Sequence, residues 1–237
     1  MTDGLRLLCS TDFMWGAEIP EVIRLLIRAG CEGVMISTEP PHYLPSLVHR
    51  SSVSALRSVV RDLDVVVAVR APIEDINVYS PNPHIANASV RSVGEAVRLG
   101  YSIGADFIII RPSYRLYDGN PVVAARKLQA LMSKMGRDQY AAFELIGGRS
   151  REIADRLSDP RLGIVYFHRE SPPDLLSHRK LVGVSLRLSE ATPLRIIPGL
   201  KGDTPYLMIH PERKRMHDTS AIRRMIVRTK SWRDGLI

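Results

Sequence analysis

Residues 64–70 read DVVVAVR and residues 80–112 read SPNPHIANASVRSVGEAVRLGYSIGADFIIIRP. The first stretch is a short apolar run, rich in β-branched side chains, that ends in a cation. The second opens with a helix start: Asn82 is a good N-cap, and Pro83 sits at the first helical position, where its missing N–H costs no hydrogen bond. Ala86, Val90, Val93, Val97 and Gly100 then recur at helical spacing, so the pattern predicts a helix over 83–103 with one apolar stripe. Another strand-length run, 106–111, again ends in a cation. Two continuous apolar strands joined by a long helix read as one βαβ unit of a parallel sheet buried on both faces.

The same alternation continues outward in both directions. Strand-like runs occur at 5–10, 33–37, 64–70, 106–111, 139–144, 162–167, 181–187 and 205–210. Helical patterns fall at 19–29, 51–63, 83–103, 121–135, 150–157 and 219–232, with a short helix at 173–178. Eight strands alternating with helices predict an α/β fold, a single parallel (β/α)8 TIM barrel spanning 1–237. The seventh helix is expected to be weak or missing, because 189–203 holds two prolines and two glycines. A length of 237 residues suits one such barrel.

Composition excludes several classes. Hydrophobic residues make up 45% and charged residues 24%, the balance of a folded globular chain. No apolar run approaches the roughly 20 residues of a membrane span. The first residues lack the layout of a signal peptide, so a cytoplasmic location is expected. Cys9 and Cys31 are too few for a disulfide framework or a thiolate metal site. The charge is +8, and +5 of it lies in the basic C-terminal segment 211–237. An anionic partner follows as an expectation, either a small molecule or a nucleic-acid backbone, with no membrane. Only six Asn and Gln occur, and 27 of the 33 cations are Arg, a bias that fits a thermophile.

In a β/α barrel the chemistry lies where strands end. Those ends carry Ser10, Arg70, Arg111, Glu144, Phe167 with His168, Ser185 with Arg187, and His210 with Glu212. Three apolar strands end abruptly in charge: VVVAV in Arg70, FIII in Arg111 and AAF in Glu144. One such residue is simply the first solvated position of a loop. Three on three strands, converging on one mouth, point to a binding site.

These residues also carry a family resemblance. Arg70-Ala71-Pro72, Asn77, Ser80-Pro81-Asn82-Pro83, Ile103-Gly104-Ala105 and Arg111-Pro112-Ser113 follow one another. This segment resembles the xylose isomerase-like barrels, which include endonuclease IV and the sugar-phosphate isomerases and epimerases. There the corresponding order is His-x-Pro, Asn, Ser-Pro-x-Pro opening a helix, Leu-Gly-Ala, and His-Pro-Gly. The likeness extends loosely through AAFELIGG (141–148) to Gly199-Leu200-Lys201-Gly202.

The resemblance implies divalent metals held by His, Glu and Asp at the strand ends. Glu144 matches the family's bridging Glu, but Arg70 and Arg111 stand where the first two His would be. The strand-six Asp falls near Phe167, the strand-seven His near Ser185, and the strand-eight Glu near His210 or Glu212. Arginine stays protonated and cannot coordinate a metal. No metal or other cofactor is therefore expected; the alternative is one divalent ion held by Glu144, His168, His210 and Glu212. Two guanidinium forks can instead bind an oxyanion directly. The expected ligand site is Arg70, Arg111, Ser185, Arg187, His210, Arg195 and Lys201, around a phosphate-bearing sugar or a nucleic-acid backbone. Glu144 is the catalytic candidate, orienting one Arg or acting as a base. The alternatives are an active isomerase, epimerase or endonuclease with a rebuilt single-metal site, and an inert basic scaffold.

Other motifs contribute little. Dinucleotide, Walker, nucleophile-elbow and Cys-x-x-Cys patterns do not occur. Gly147-Gly148 opens a βα turn before a helix, with Ser150 as its expected N-cap. The Pro-rich stretch 38–46, with His42 and Tyr43, is read as a stiff rim.

Overall fold

Eight strands close into a barrel in chain order: β1 (Arg6–Ser10), β2 (Gly33–Ser37), β3 (Val66–Arg70), β4 (Phe107–Ile110), β5 (Ala141–Glu144), β6 (Leu162–Phe167), β7 (Leu181–Leu188) and β8 (Tyr206–Pro211). All eight pairings are parallel, and β8 closes on β1 through Arg6↔Tyr206 to Cys9↔Ile209. The structure is a computed structural model that describes residues 5–12, 17–39, 50–113, 119–133, 140–167, 171, 173–188, 206–211 and 219–234. Around the strands stand α1 (Ile19–Arg28), α2 (Arg50–Leu63), α3 (Pro83–Ile103), α4 (Pro121–Met132), α5 (Ser150–Asp155) and α6 (Thr219–Asp234). A 3₁₀ turn, Pro173–Ser177, takes the place of a helix between β6 and β7. The expected gap in place of a seventh helix, 189–203, lies outside the described residues, as do His42, Tyr43 and the rest of 40–49.

Period-two alternation splits the strands between two cores. Outward side chains such as Val34, Val69, Ile110 and Phe143 pack under the helices. Inward ones, among them Leu8, Met35, Ala68, Ile109, Val165 and Met208, fill the barrel itself. Helix α3 begins and ends as its sequence dictates. The Asn82 side chain accepts the His84 N–H at 3.0 Å, and Gly104 closes the helix at φ +77°. Gly100 packs closely on β4: a Cβ there would overlap Cδ1 of Ile108, whose terminal methyl would have to turn aside.

The C-terminal segment is partly structural. Glu32, just before β2, accepts the Leu7 N–H at 2.8 Å and an Arg233 Nη1 hydrogen bond at 2.6 Å, with Lys230 Nζ 3.7 Å away. Two of the basic residues therefore clamp α6 to the start of β1. Ile222, Met225 and Ile226 are buried beneath it, while Arg223, Arg224 and Arg228 are exposed. No helix among the described residues is long and apolar enough to cross a membrane.

Candidate functional site

Strand register brings the expected charges to one level. Arg70 ends β3, Arg111 follows β4 by one residue, and Glu144 ends β5; because Ile110 pairs with Phe143, Arg111 and Glu144 lie side by side. Arg70 Nη2 donates to Glu144 Oε2 at 2.8 Å, and Arg111 Nε donates to the same oxygen at 3.0 Å. All three side chains are buried, with Glu144 fully so. The β3 end is fixed by its neighbour: Thr38 donates both its N–H, at 3.1 Å, and its hydroxyl, at 2.8 Å, to the Arg70 carbonyl.

Phe167 at the end of β6 is the hub of the mouth. Its ring centroid lies 4.3 Å from the Arg111 guanidinium carbon and 6.0 Å from those of Arg70 and Arg187. An aromatic face offers the guanidiniums a cation–π surface where a metal site would need a carboxylate.

On the opposite wall β7 and β8 place Arg187 beside His210. The imidazole Nε2 lies 2.7 Å from the Ser185 hydroxyl, and Nδ1 lies 3.5 Å from Asp12 Oδ2. Burial pushes the His210 pKa down and the Arg70 charge lowers it further, so the ring is neutral at pH 7. Burial works against the Asp12 charge, but the His210 hydrogen bond and nearby positive charge hold its carboxyl below the usual range. An ionised carboxylate only accepts, so Nδ1 carries the proton and Nε2 receives the Ser185 hydroxyl hydrogen.

Two buried carboxylates at this face differ in character. Burial raises the Glu144 pKa, but Arg70 and then Arg111 outweigh it and hold it at about 2. Glu39, two residues past β2, accepts the N–H groups of Ile73 and Glu74 through Oε1. Burial dominates there and raises its pKa despite those bonds. Its Oε2, like Glu144 Oε1 and Arg70 Nε, is buried with no hydrogen-bond partner among the described residues.

The sequence-predicted set is thus partly assembled. Arg70, Arg111, Glu144, Ser185, Arg187 and His210 share the C-terminal mouth. Arg195, Lys201, His168 and Glu212 lie outside the described residues. Asp12 and Glu39 were missed by reading only the last residue of each strand. The signal for both was parity: Leu8, Ser10, Asp12 and Met35, Ser37, Glu39 continue the inward-facing rows by steps of two. Ser150 is corrected: Arg149 occupies the cap position without a side-chain cap bond, and Ser150 is the first helical residue. Its buried hydroxyl and Glu144 border a cavity of about 10 Å³, roughly one water in size.

A divalent metal does not fit the described residues. No three His, Cys, Asp or Glu side chains converge among them. The one matching ligand, Glu144, already holds two guanidiniums, which would repel a cation placed on the same oxygen.

The fold is a closed parallel TIM barrel, similar to that of a solved xylose isomerase-like TIM barrel/4-hydroxyphenylpyruvate dioxygenase fusion protein, at TM-score 0.68 and 13% identity over 91% of this chain and 40% of that one. Among solved structures, the chain superposes on the IolI protein with a bound zinc atom at TM-score 0.76 and 11% identity, over 98% of this chain and 99% of that one. D-psicose 3-epimerase, crystallised with D-fructose, matches at 0.74 and 9% identity over 95% and 98%. D-allulose 3-epimerase from Methylomonas sp. matches at 0.72 and 11% over 97% and 98%. No protein-family model and no curated protein matches the sequence.

Proposed function

We propose that the mouth is a receptor for a small phosphate-bearing sugar, held by guanidiniums in place of metal ions. The observation that carries this reading is three arginines gathered on one ring, Phe167, at the functional end of the barrel. Gathering like charges costs Coulomb energy, which a bound oxyanion offsets. Glu144 neutralises part of that charge. Arg187 is exposed and has no carboxylate within ion-pair distance among the described residues, so it is the cation best placed to meet a ligand first.

Calorimetric titration with D-fructose 6-phosphate, D-fructose and a single-stranded oligonucleotide tests the reading. The phosphate ester should bind, and the free sugar should bind at least about tenfold more weakly. Arg187→Ala should weaken the ester by about 10- to 150-fold, the equivalent of a charge-assisted hydrogen bond of 1.5–3 kcal/mol. Equal affinity for ester and free sugar would overturn the reading. Oligonucleotide binding lost only on reversing Arg223, Arg224 and Arg228 would move the anion partner to α6.

A second reading, an isomerase or epimerase, is favoured by Glu39. A carboxylate whose pKa is raised is a better proton acceptor at neutral pH than Glu144, held at about 2. Such a base would take the proton α to a sugar carbonyl. The electron pair would move onto the carbonyl oxygen, beside Arg70 and Arg111, and the proton would return on reprotonation. Three proteins of similar fold, the D-psicose, D-allulose and L-ribulose 3-epimerases, suggest the substrate class for this reading. Glu39→Gln is expected to abolish exchange of sugar C–H for deuterium, followed by NMR, with ligand affinity changed by less than about threefold. Undiminished exchange in that variant would assign the base elsewhere.

A further inference from the structure

The barrel has a second opening at its other end. A cavity of about 680 Å³ is bordered by the first residues of five strands, among them Phe107, Ala141, Leu162, Leu181 and Tyr206. That volume is the size of a small-molecule pocket. It lies one strand length, roughly 13–20 Å, from the arginine mouth. The N-terminal ends of barrel strands are ordinarily filled by side chains. Here register pairs Ala142 directly with Gly163, and both belong to inward-facing rows. The Val182 side chain occupies the place a Cβ of Gly163 would take, and the cavity that these two border with Ala142 opens beside a stacked aromatic pair. Phe107 and Tyr206 have ring centroids 4.9 Å apart and planes inclined by 25°. Tyr140 stands at the rim, more than half exposed.

The polar side of this cavity is cationic. Arg161 is matched by Asp159, with Nη2 and Oδ2 at 2.6 Å. Lys180 is not: its ammonium donates to the backbone carbonyls of Asp159, at 2.9 Å, and Leu162, at 3.4 Å. Neither Lys180 nor Arg179 has a carboxylate within ion-pair distance among the described residues. Asp106 lies on the β4 wall, where its Oδ2 caps the Val67 N–H at 2.7 Å. The anion seat is therefore the β6–β7 side, and the apolar seat is the Phe107–Tyr206 side.

We propose that the N-terminal face of the barrel binds a small aromatic anion: its ring enters beside Phe107, Ala142 and Tyr206, and its carboxylate, sulfonate or phosphate meets Lys180 and Arg179. A planar apolar body satisfies the floor, and a single negative group satisfies the rim. None of the residues of the arginine mouth lines this cavity.

Naphthalene-1-sulfonate is the probe, titrated by calorimetry into the full chain. One-to-one binding is expected, weakened at least tenfold by the double reversal Arg179→Glu/Lys180→Glu. Ala142→Leu, which fills the cavity with apolar volume, should abolish it with thermal stability retained. Inorganic sulfate should not displace the probe, because it lacks the ring. Absence of binding at millimolar probe would overturn the proposal. So would equal affinity in the reversed and filled variants, or displacement by a ligand of the arginine mouth.

Discussion

Glu144→Ala is expected to lower stability by about 3–5 kcal/mol, because it leaves two buried guanidiniums facing each other without their carboxylate. At roughly 2–4 °C per kcal/mol for a domain of this size, the melting temperature should fall by about 6–20 °C. Acid should reproduce the effect in the unmodified protein. The folded-state pKa of Glu144, about 2, lies below the ordinary carboxylate value. Its stabilisation is therefore fully present above about pH 4.5 and is lost as pH falls toward 2, a contribution of roughly 3 kcal/mol. Asp12 has the same sign. His210 adds to it from higher pH, since its folded pKa is depressed and the unfolded chain takes up the proton first. Glu39 opposes them, its raised pKa making the folded form the stronger proton binder. Urea unfolding followed from pH 7 to pH 3 should show a net loss that Glu144→Ala reduces, leaving the part due to Asp12 and His210. An acid profile unchanged by that substitution would show that the cluster does not hold the barrel together.

Arg111→Ala should separate binding from stability. The substitution removes one hydrogen bond to Glu144 and the guanidinium seated 4.3 Å from the Phe167 ring, while Arg70 still neutralises the carboxylate. The stability cost should be about 2–3 kcal/mol, less than for Glu144→Ala. The loss of sugar-phosphate affinity should be about 10- to 150-fold. The combined variant Arg70→Met, Arg111→Met, Glu144→Leu sharpens the comparison. Replacing a whole buried ion cluster by apolar side chains is often neutral or stabilising, so this chain should recover most of the lost stability yet bind no anion. If it binds as the original does, the cluster is structural and the ligand sits elsewhere.

Most of the barrel was legible because its strands are continuous apolar runs and its long helix carries an unambiguous start and stop. Strand ends were placed to within two residues, which sufficed to bring Arg70, Arg111 and Glu144 together. The shared oxygen was not legible: register decides which of two carboxylate oxygens two arginines reach, and register depends on all the strands closing at once. Asp12 and Glu39 escaped because they lie two residues past their strands, in what reads as loop, although the inward parity continues through them. The lower cavity escaped for a different reason. Ala142 and Gly163 look unremarkable in sequence, and only cross-strand pairing sets them next to each other, with Val182 packed against Gly163.

The positive charge at the mouth is covalently part of the polypeptide. A bound cation exchanges with its surroundings, so a site built on one varies with supply and with competing chelators. Arg70 and Arg111 are present once per chain from synthesis onward, and an arginine guanidinium carries its charge without any ion being supplied. The charge that these two arginines bring to the mouth is therefore indifferent to a chelating buffer. That charge can be altered by replacing a residue but not by changing which cations the cell supplies.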